Sequence, residues 1–151
     1  MYTALQDAYV TFLRAHLADV MGGEKAPLAV QPYAGELAQP DALVHIAPIV
    51  LVDLGAAADE RFDEASEVVE FAPTLDLILV AHNAALSGAN YAEGLALATW
   101  ARRHLRTSTP RVDLAGGGAR YPTPGSLRFT RTLSGSLLWI AKITITPRLT
   151  L

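Results

Sequence analysis

Histidines stand at four places in the chain, His16, His45, His82 and His104. No two of them fall at the HxH or HExxH spacing that would aim a pair of imidazoles at one metal ion. There is no cysteine, which excludes thiolate metal sites and disulfides. His16 lies on the apolar stripe of a predicted helix and reads as a packed core side chain. His104 stands among arginines, where a further cation is disfavoured. Gly116, Gly117 and Gly118 form a run, but the GxxxxGKS/T and GxGxxG frames are absent and no helical pattern starts after it. The run reads as a loop, not a phosphate cradle. Ser134, Gly135 and Ser136 lack the GxSxG frame and lie between two predicted strands, so they do not form a nucleophile elbow.

The charged side chains are more informative. Residues 56–70 carry Asp59, Glu60, Arg61, Asp63, Glu64, Glu67 and Glu70. Two carboxylates work as acid and base only when burial or close approach drives their pKa values apart. A stretch this polar is instead expected to be a solvated loop between strands. Asp53 and Asp76 differ, because each interrupts an apolar strand, where an unpaired charge is costly. They are expected at strand ends, facing solvent, or against an arginine. Seven arginines follow, Arg102, Arg103, Arg106, Arg111, Arg120, Arg128 and Arg131. With a pI near 5.7 for the whole chain and only Tyr121 and Phe129 as aromatic neighbours, they make a weak nucleic-acid platform. No enzyme is expected, and no cofactor or metal.

These charges are sorted along the chain. Residues 1–76 hold three basic and thirteen acidic side chains, whereas residues 77–151 hold nine basic and two acidic ones. If the halves occupy opposite flanks, a head-to-tail contact would join acid to base, and such heterologous contacts close into rings when the rotation permits. If the halves interleave, the charges meet inside one subunit. The apolar fraction of 51% with only 18% charged residues suits surface covered by sister subunits, and equally a simply alanine-rich sequence. No apolar run reaches the ~20 residues that span a bilayer. The first residues show no basic head followed by an apolar block, so no signal peptide is expected.

At 151 residues one domain, 1–151, is expected. Thr3 to Val20 reads as a helix with Leu5, Tyr9, Phe12, Leu13, His16, Leu17 and Val20 on one face, a Thr3–Gln6 capping box, and a stop at Gly22 and Gly23. Leu28 to Tyr33 is an edge strand limited by Pro32. Pro40 can open a helical turn to Val44. Ala47 to Leu54 and Val68 to Ala81 read as two strands of a long antiparallel hairpin with an acidic tip. In the second, Leu75, Leu77, Leu79 and Ala81 alternate with Thr74, Asp76, Ile78 and Val80, as at the middle of a sheet. A helix capped by Ser87 or Asn90 runs to about Arg106, with Tyr91, Leu95, Ala98 and Leu105 buried. Residues 107–125 are irregular, with Arg111 to Leu114 extended. Leu127 to Leu133 and Leu137 to Thr146 close the chain as two strands. The order α-β-β-β-α-β-β predicts an α+β fold, a mainly antiparallel sheet with two main helices packed on one face.

The stretch HIAPIVLVDLGAA (His45 to Ala57), a charged segment, the strand TLDLILVAHN and the helix YAEGLALATWARRHL resemble the small tail proteins of Mu-like phages and prophages. In those, an apolar strand ending in Gly precedes a second strand and a helix with a Gly-aromatic-Leu pattern. Here Tyr91 precedes Gly94 rather than following it. The resemblance implies a tail terminator or nearby tail-completion protein in the virion tail, assembled in the bacterial cytoplasm. Such a protein caps the tail tube as a ring, commonly a hexamer, and presents the head-joining surface. The implied partners are further copies of the chain, the tail tube protein and a head-completion protein, with DNA passing through the lumen unbound. The residues expected to make contacts are Asp59, Glu60, Asp63 and Glu64 on the acidic side and Arg102, Arg103, Arg106 and Arg120 on the basic side. Rival readings are a head–tail connector or baseplate adaptor, and a ligand-binding domain or enzyme with a cleft lined by His82, Arg120 and Tyr121 under the 107–125 loop.

Overall fold

A computed structural model describes residues 2–17, 29–63, 68–82, 91–114, 116–123, 126–132 and 138–150 of the chain. The elements are α1 (Tyr2–Ala15), β1 (Ala29–Pro32), a 3-10 turn (Glu36–Ala38), α2 (Pro40–Ile46), β2 (Ile49–Asp63), β3 (Val68–His82), α3 (Tyr91–Thr107), β4 (Val112–Asp113), β5 (Ala119–Arg120), β6 (Leu127–Thr132), β7 (Leu138–Ile145) and β8 (Leu149–Thr150). The main sheet runs β1-β2-β3-β7-β6, with β8 joined to β3. Among the described strands only β1 and β2 are parallel; every other described pairing in the sheet is antiparallel. This is the α+β architecture that the pattern predicts.

Strand alternation sorts the two faces. Val50, Val52, Leu75, Leu77, Leu79, Ala81, Ala141, Ile143 and Ile145 turn one way and are buried against α1 and α3. Both main helices therefore cover one face. The opposite face is apolar only at one end, where Ile49, Leu51, Ile78, Val80 and Leu138 pack on Leu43 and Ala47 around α2. Pro40 does open this helix, two residues longer than the predicted turn, since Ala47 N–H still closes on Leu43.

Several boundaries depart from expectation for identifiable reasons. α1 ends at Ala15, and the predicted stop at Gly22 and Gly23 lies outside the described residues. The capping box does not form: Thr3 is already inside the helix, and Gln6 Nε2 reaches across to donate to the Val52 carbonyl at 2.8 Å. In α3 the buried stripe is Gly94, Leu97, Ala98, Ala101 and Leu105, with Trp100 and His104 beside it, while Leu95 is 45% exposed. Of the predicted face, Ala98 and Leu105 are buried and Leu95 is not, while the side chain of Tyr91 lies outside what the structure describes. Gly94 sets the phase of the helix, because a Cβ there would lie 2.4 Å from Trp139 Cδ2. Only a residue without a side chain lets the helix approach the indole so closely.

The largest correction concerns residues 56–63 and 68–70, read from the sequence as part of a solvated loop; residues 64–67 lie outside the described residues. Strand β2 continues to Asp63 and β3 starts at Val68, and their register runs from Ala58↔Pro73 to Asp63↔Val68. A register shift between Leu54 and Ala58 separates this arm from the body of the sheet. Charge density does not break a backbone ladder that a partner strand satisfies. In the 107–125 region, β4 and β5 form a small hairpin whose turn places Gly117 and Gly118 at φ of 86° and 87°. There the glycine run serves backbone geometry, since L-residues with a side chain resist that conformation. Strand β8 has no counterpart among the predicted elements; Pro147 ends the β7 pattern, and buried Leu149 follows two residues later.

Candidate functional site

The sheet order answers how the two charged halves of the chain lie in space. Strands β1, β2 and residues 68–76 of β3 come from the acidic half, and β3 carries only Glu70 and Asp76 as charged groups; β7 and β6 come from the basic half and carry Lys142, Arg128 and Arg131. Strand β8, also from the basic half, pairs with Glu70 and Phe71 of β3 on the side away from β2, the side that β7 takes further along. Among the described strands of the main sheet the acidic side chains lie on β2 and β3 and the basic ones, Arg61 apart, on β7 and β6.

The open part of the sheet shows this as a row of side chains. Asp53 faces Asp76, Asp76 faces Thr144, and Thr144 faces Arg128, on β2, β3, β7 and β6 respectively. Directly opposed residues share a face, so the row runs from acid to base over three strand spacings, about 14 Å. Asp76 is the better satisfied carboxylate. It accepts a hydrogen bond from Thr144 Oγ1 at 2.7 Å and pairs with Lys142 Nζ at 3.4 Å. Asp53 is held above the ordinary aspartate range, first by partial burial and then by the Asp76 charge across the ladder; a Leu54 backbone hydrogen bond and Lys142 pull the other way. Of the three expected settings, the structure gives Asp76 a basic partner, a lysine rather than an arginine, and gives Asp53 a like-charged neighbour.

Beyond this row projects the β2–β3 arm. Six residues per strand at ~3.3 Å each give an arm of about 20 Å. Asp59, Glu60 and Asp63 lie on its β2 strand, and Glu64 lies outside the described residues. The β1 pairing stops at Val52, so no described strand flanks 58–63 on its outer side. Thr150 and Leu149 of β8 meet Glu70 and Phe71 midway along the other strand of the arm.

The basic residues gather on α3 and β6. Arg102, Arg103 and Arg106 line a shallow cleft of about 490 Å³ with Thr99 and Thr107. Arg103 and Arg106 are exposed, and Arg102 is half-buried with its guanidinium carbon 5.9 Å above the Phe129 ring of β6. Arg102 Nε is buried with no hydrogen-bond partner among the described residues. Leu95, one turn before Thr99, adds an exposed apolar side chain to the same helix. Arg120 does not join this cluster by strand pairing; it stands exposed on the separate β4–β5 hairpin.

The residues proposed for a ligand cleft are not gathered either. His82 ends β3 and contacts the Val44 carbonyl at 2.9 Å, Arg120 belongs to the small hairpin, and Tyr121 is 66% exposed. A groove of about 510 Å³ does border the 107–125 segment, between α1 and residues 109–113. Its charged groups are Asp7, Arg111 and Asp113, the last two paired at 3.0 Å. Among the described residues no group of three His, Asp or Glu could hold a metal ion. His16 and His104 are stacked with ring centres 4.0 Å apart, and Trp100 Nε1 donates to the His16 carbonyl. They join the end of α1 to α3, a tertiary role that helical periodicity alone does not reveal for His104.

No described helix is long and apolar enough to cross a membrane. In comparison with known proteins, the chain matches no family model and no curated protein.

Proposed function

We propose that the protein is a structural subunit of a phage or prophage tail, a tail terminator that caps the tail tube as a ring and offers the head-joining surface. One observation carries the reading: acid and base are segregated onto opposite sides of a single sheet, and the acidic side extends into a two-stranded arm. A monomer has no need to keep its charges apart in this way. A ring subunit has, because each copy must present one edge to the copy before it and a different edge to the copy after it. Complementary charge then sets orientation and encounter rate. The resemblance of residues 45–57, 74–83 and 91–105 to small tail proteins of Mu-like phages points to the same class. In that setting the acidic arm suits a lumen through which DNA passes, since like charge keeps phosphate from adhering. The partners are the tail tube protein and a head-completion protein, and the place of action is the virion tail after assembly in the host cytoplasm.

The test is the mass of the protein in solution across concentration and salt, alone and with the tail tube protein of the same phage or prophage, with rings sought by electron microscopy. Closed rings that weaken as salt rises and that join tube ends are expected. A particle that stays monomeric throughout and ignores tubes overturns the reading. A protein that joins the head side or the baseplate but never a tube end would instead be a connector or adaptor.

A further inference from the structure

Two strand edges have no partner strand among the described residues, and the residues along them carry opposite charge. The first is β6. Thr146 N–H bonds to the Ser126 carbonyl, which makes 126 and 146 a hydrogen-bonded pair of the β6–β7 ladder. The register and the alternation of antiparallel pairs then assign Arg128, Thr130 and Thr132 to bonds with β7. The backbone N–H and C=O groups of Leu127, Phe129 and Arg131 point the other way, where no described strand receives them. The second edge is the outer side of β2 from Ala58 to Asp63, beyond the end of β1.

Unpaired edges of this kind template the addition of another strand. Edge β6 bears Arg128 and Arg131 and lies beside the α3 arginines through the Arg102–Phe129 contact. The β2 edge bears Asp59, Glu60 and Asp63, with Arg61 as its one basic residue. Proteins usually protect such edges with a lone charge or a covering element. Here the two edges carry opposite charges, so each repels a copy of itself and attracts the other. The occupant that matches β6 in both backbone and charge is the arm of a second copy of this chain.

We infer that the β2 edge of one subunit's arm adds as a strand to β6 of the next, so that the sheet continues from subunit to subunit with acid on base at every junction. The inference rests on the ring reading but specifies the contact within it. Because the joined edges differ, the contact is head-to-tail and leaves both edges of a dimer partly unsatisfied until the ring closes.

The absence of cysteine makes the test direct. A double variant, Asp59→Cys with Thr130→Cys, and a second, Asp63→Cys with Thr130→Cys, sample two registers; Thr130 is exposed. Strands β2 and β6 are separated by two others, about 14 Å, which exceeds the ~7 Å between Cα atoms that a disulfide can bridge. Any disulfide formed must therefore link two chains. Mild oxidation should give a ladder of covalent oligomers in at least one variant, at least ten times more than in an Asp113→Cys, Thr130→Cys control. Sedimentation of the reduced proteins is measured alongside, with circular dichroism to show that each is folded. Rings without the ladder overturn the arm-to-β6 contact and leave the ring reading standing. Monomers without the ladder overturn both. A ladder from a protein that forms open chains rather than rings upholds the contact and overturns the ring. If a cysteine variant fails to fold, reversal of Arg128 and Arg131 to Glu, mixed with reversal of Asp59, Glu60 and Asp63 to Lys, replaces it. Each reversed protein alone should bind itself at least tenfold more weakly than the parent, and the mixture should associate; a mixture as weak as either alone overturns the contact.

Discussion

Asp53 and Asp76 face each other across β2 and β3, and removing one charge or the other should have opposite effects. Opposed side chains in an antiparallel pair have Cβ atoms about 5 Å apart. Two carboxylate charges about 6 Å apart repel by ~0.7 kcal/mol in water and ~2.8 kcal/mol at an effective dielectric of 20. Both groups are partly buried, the Asp76 side chain being 18% exposed, but Lys142 at 3.4 Å offsets the Asp76 charge, so a value toward the lower end applies. Asp53→Asn keeps the shape, removes the repulsion and ends the cost of a partly buried charge. A gain of about 0.5–1 kcal/mol at pH 7 is expected. Asp76→Asn relieves the same repulsion but gives up a charge-assisted hydrogen bond from Thr144 and the Lys142 pair. Bonds to charged groups contribute about 1.5–3 kcal/mol, so a net loss of about 1 kcal/mol is expected. The effect of pH has a definite sign. The folded chain holds the Asp53 proton more tightly than the unfolded chain does. The cost of its charge is thus full above the folded pKa and disappears as pH falls toward the ordinary aspartate range. The advantage of Asp53→Asn should be full at pH 7 and shrink by pH 4. Urea denaturation of parent and both variants at the two pH values, at one fixed micromolar concentration, measures this. An Asp53→Asn protein less stable than the parent at pH 7, or with the same offset at both pH values, would refute the reasoning.

Other perturbations address the packing and the arm. Gly94→Ala drives a methyl group into the Trp139 indole and should cost about 1–3 kcal/mol in denaturant unfolding, with altered tryptophan emission. Gln6→Ala removes the donor to the Val52 carbonyl, which still accepts from Tyr33 N–H, so thermal unfolding should report only about 0.5–1.5 kcal/mol of loss. Replacing Asp59, Glu60, Asp63 and Glu64 with Lys should leave the far-ultraviolet dichroism intact while blocking ring formation or tube joining in electron micrographs; normal rings would count against an assembly role for the arm.

The sheet was readable in the sequence because its inner face obeys strict alternation. Leu75, Leu77, Leu79 and Ala81 are all fully buried, as are Ala141 and Ile143 beside them on β7. Alternation records burial, however, and the features that burial does not write into residue type were missed. The arm was hidden because the charge-rich sequence of 58–63 does not announce the backbone pairing with 68–73. On α3 the burial of Ala98 and Leu105 is legible, but that of Gly94 against Trp139 is not, because a residue without a side chain adds nothing to an apolar pattern, and Leu95 faces outward. Gln6 resembled a helix cap because its partner, Val52, is 46 residues away in the chain. The candidate site followed the same rule: its charges could be counted in advance, but which strand neighboured which could not.

Strand order turns that count into a surface. The chain could have threaded β6 or β7 between β2 and β3, and the acidic and basic halves would then have cancelled within one subunit. A direct β2–β3 connection prevents it, because the two strands pair along almost their whole lengths and leave no gap for a third. Strands from the basic half can add only outside β3, and the α3 crossover delivers them there. The long hairpin thus both builds the arm and keeps its charge uncompensated. Shortening it by deleting 58–63 and 68–73 should leave a folded body whose charges are still sorted across the sheet but whose acidic edge no longer reaches a neighbour. In sedimentation such a protein is expected to remain monomeric at concentrations where the parent associates, and its association with unchanged affinity would transfer the contact from the arm to the body of the sheet.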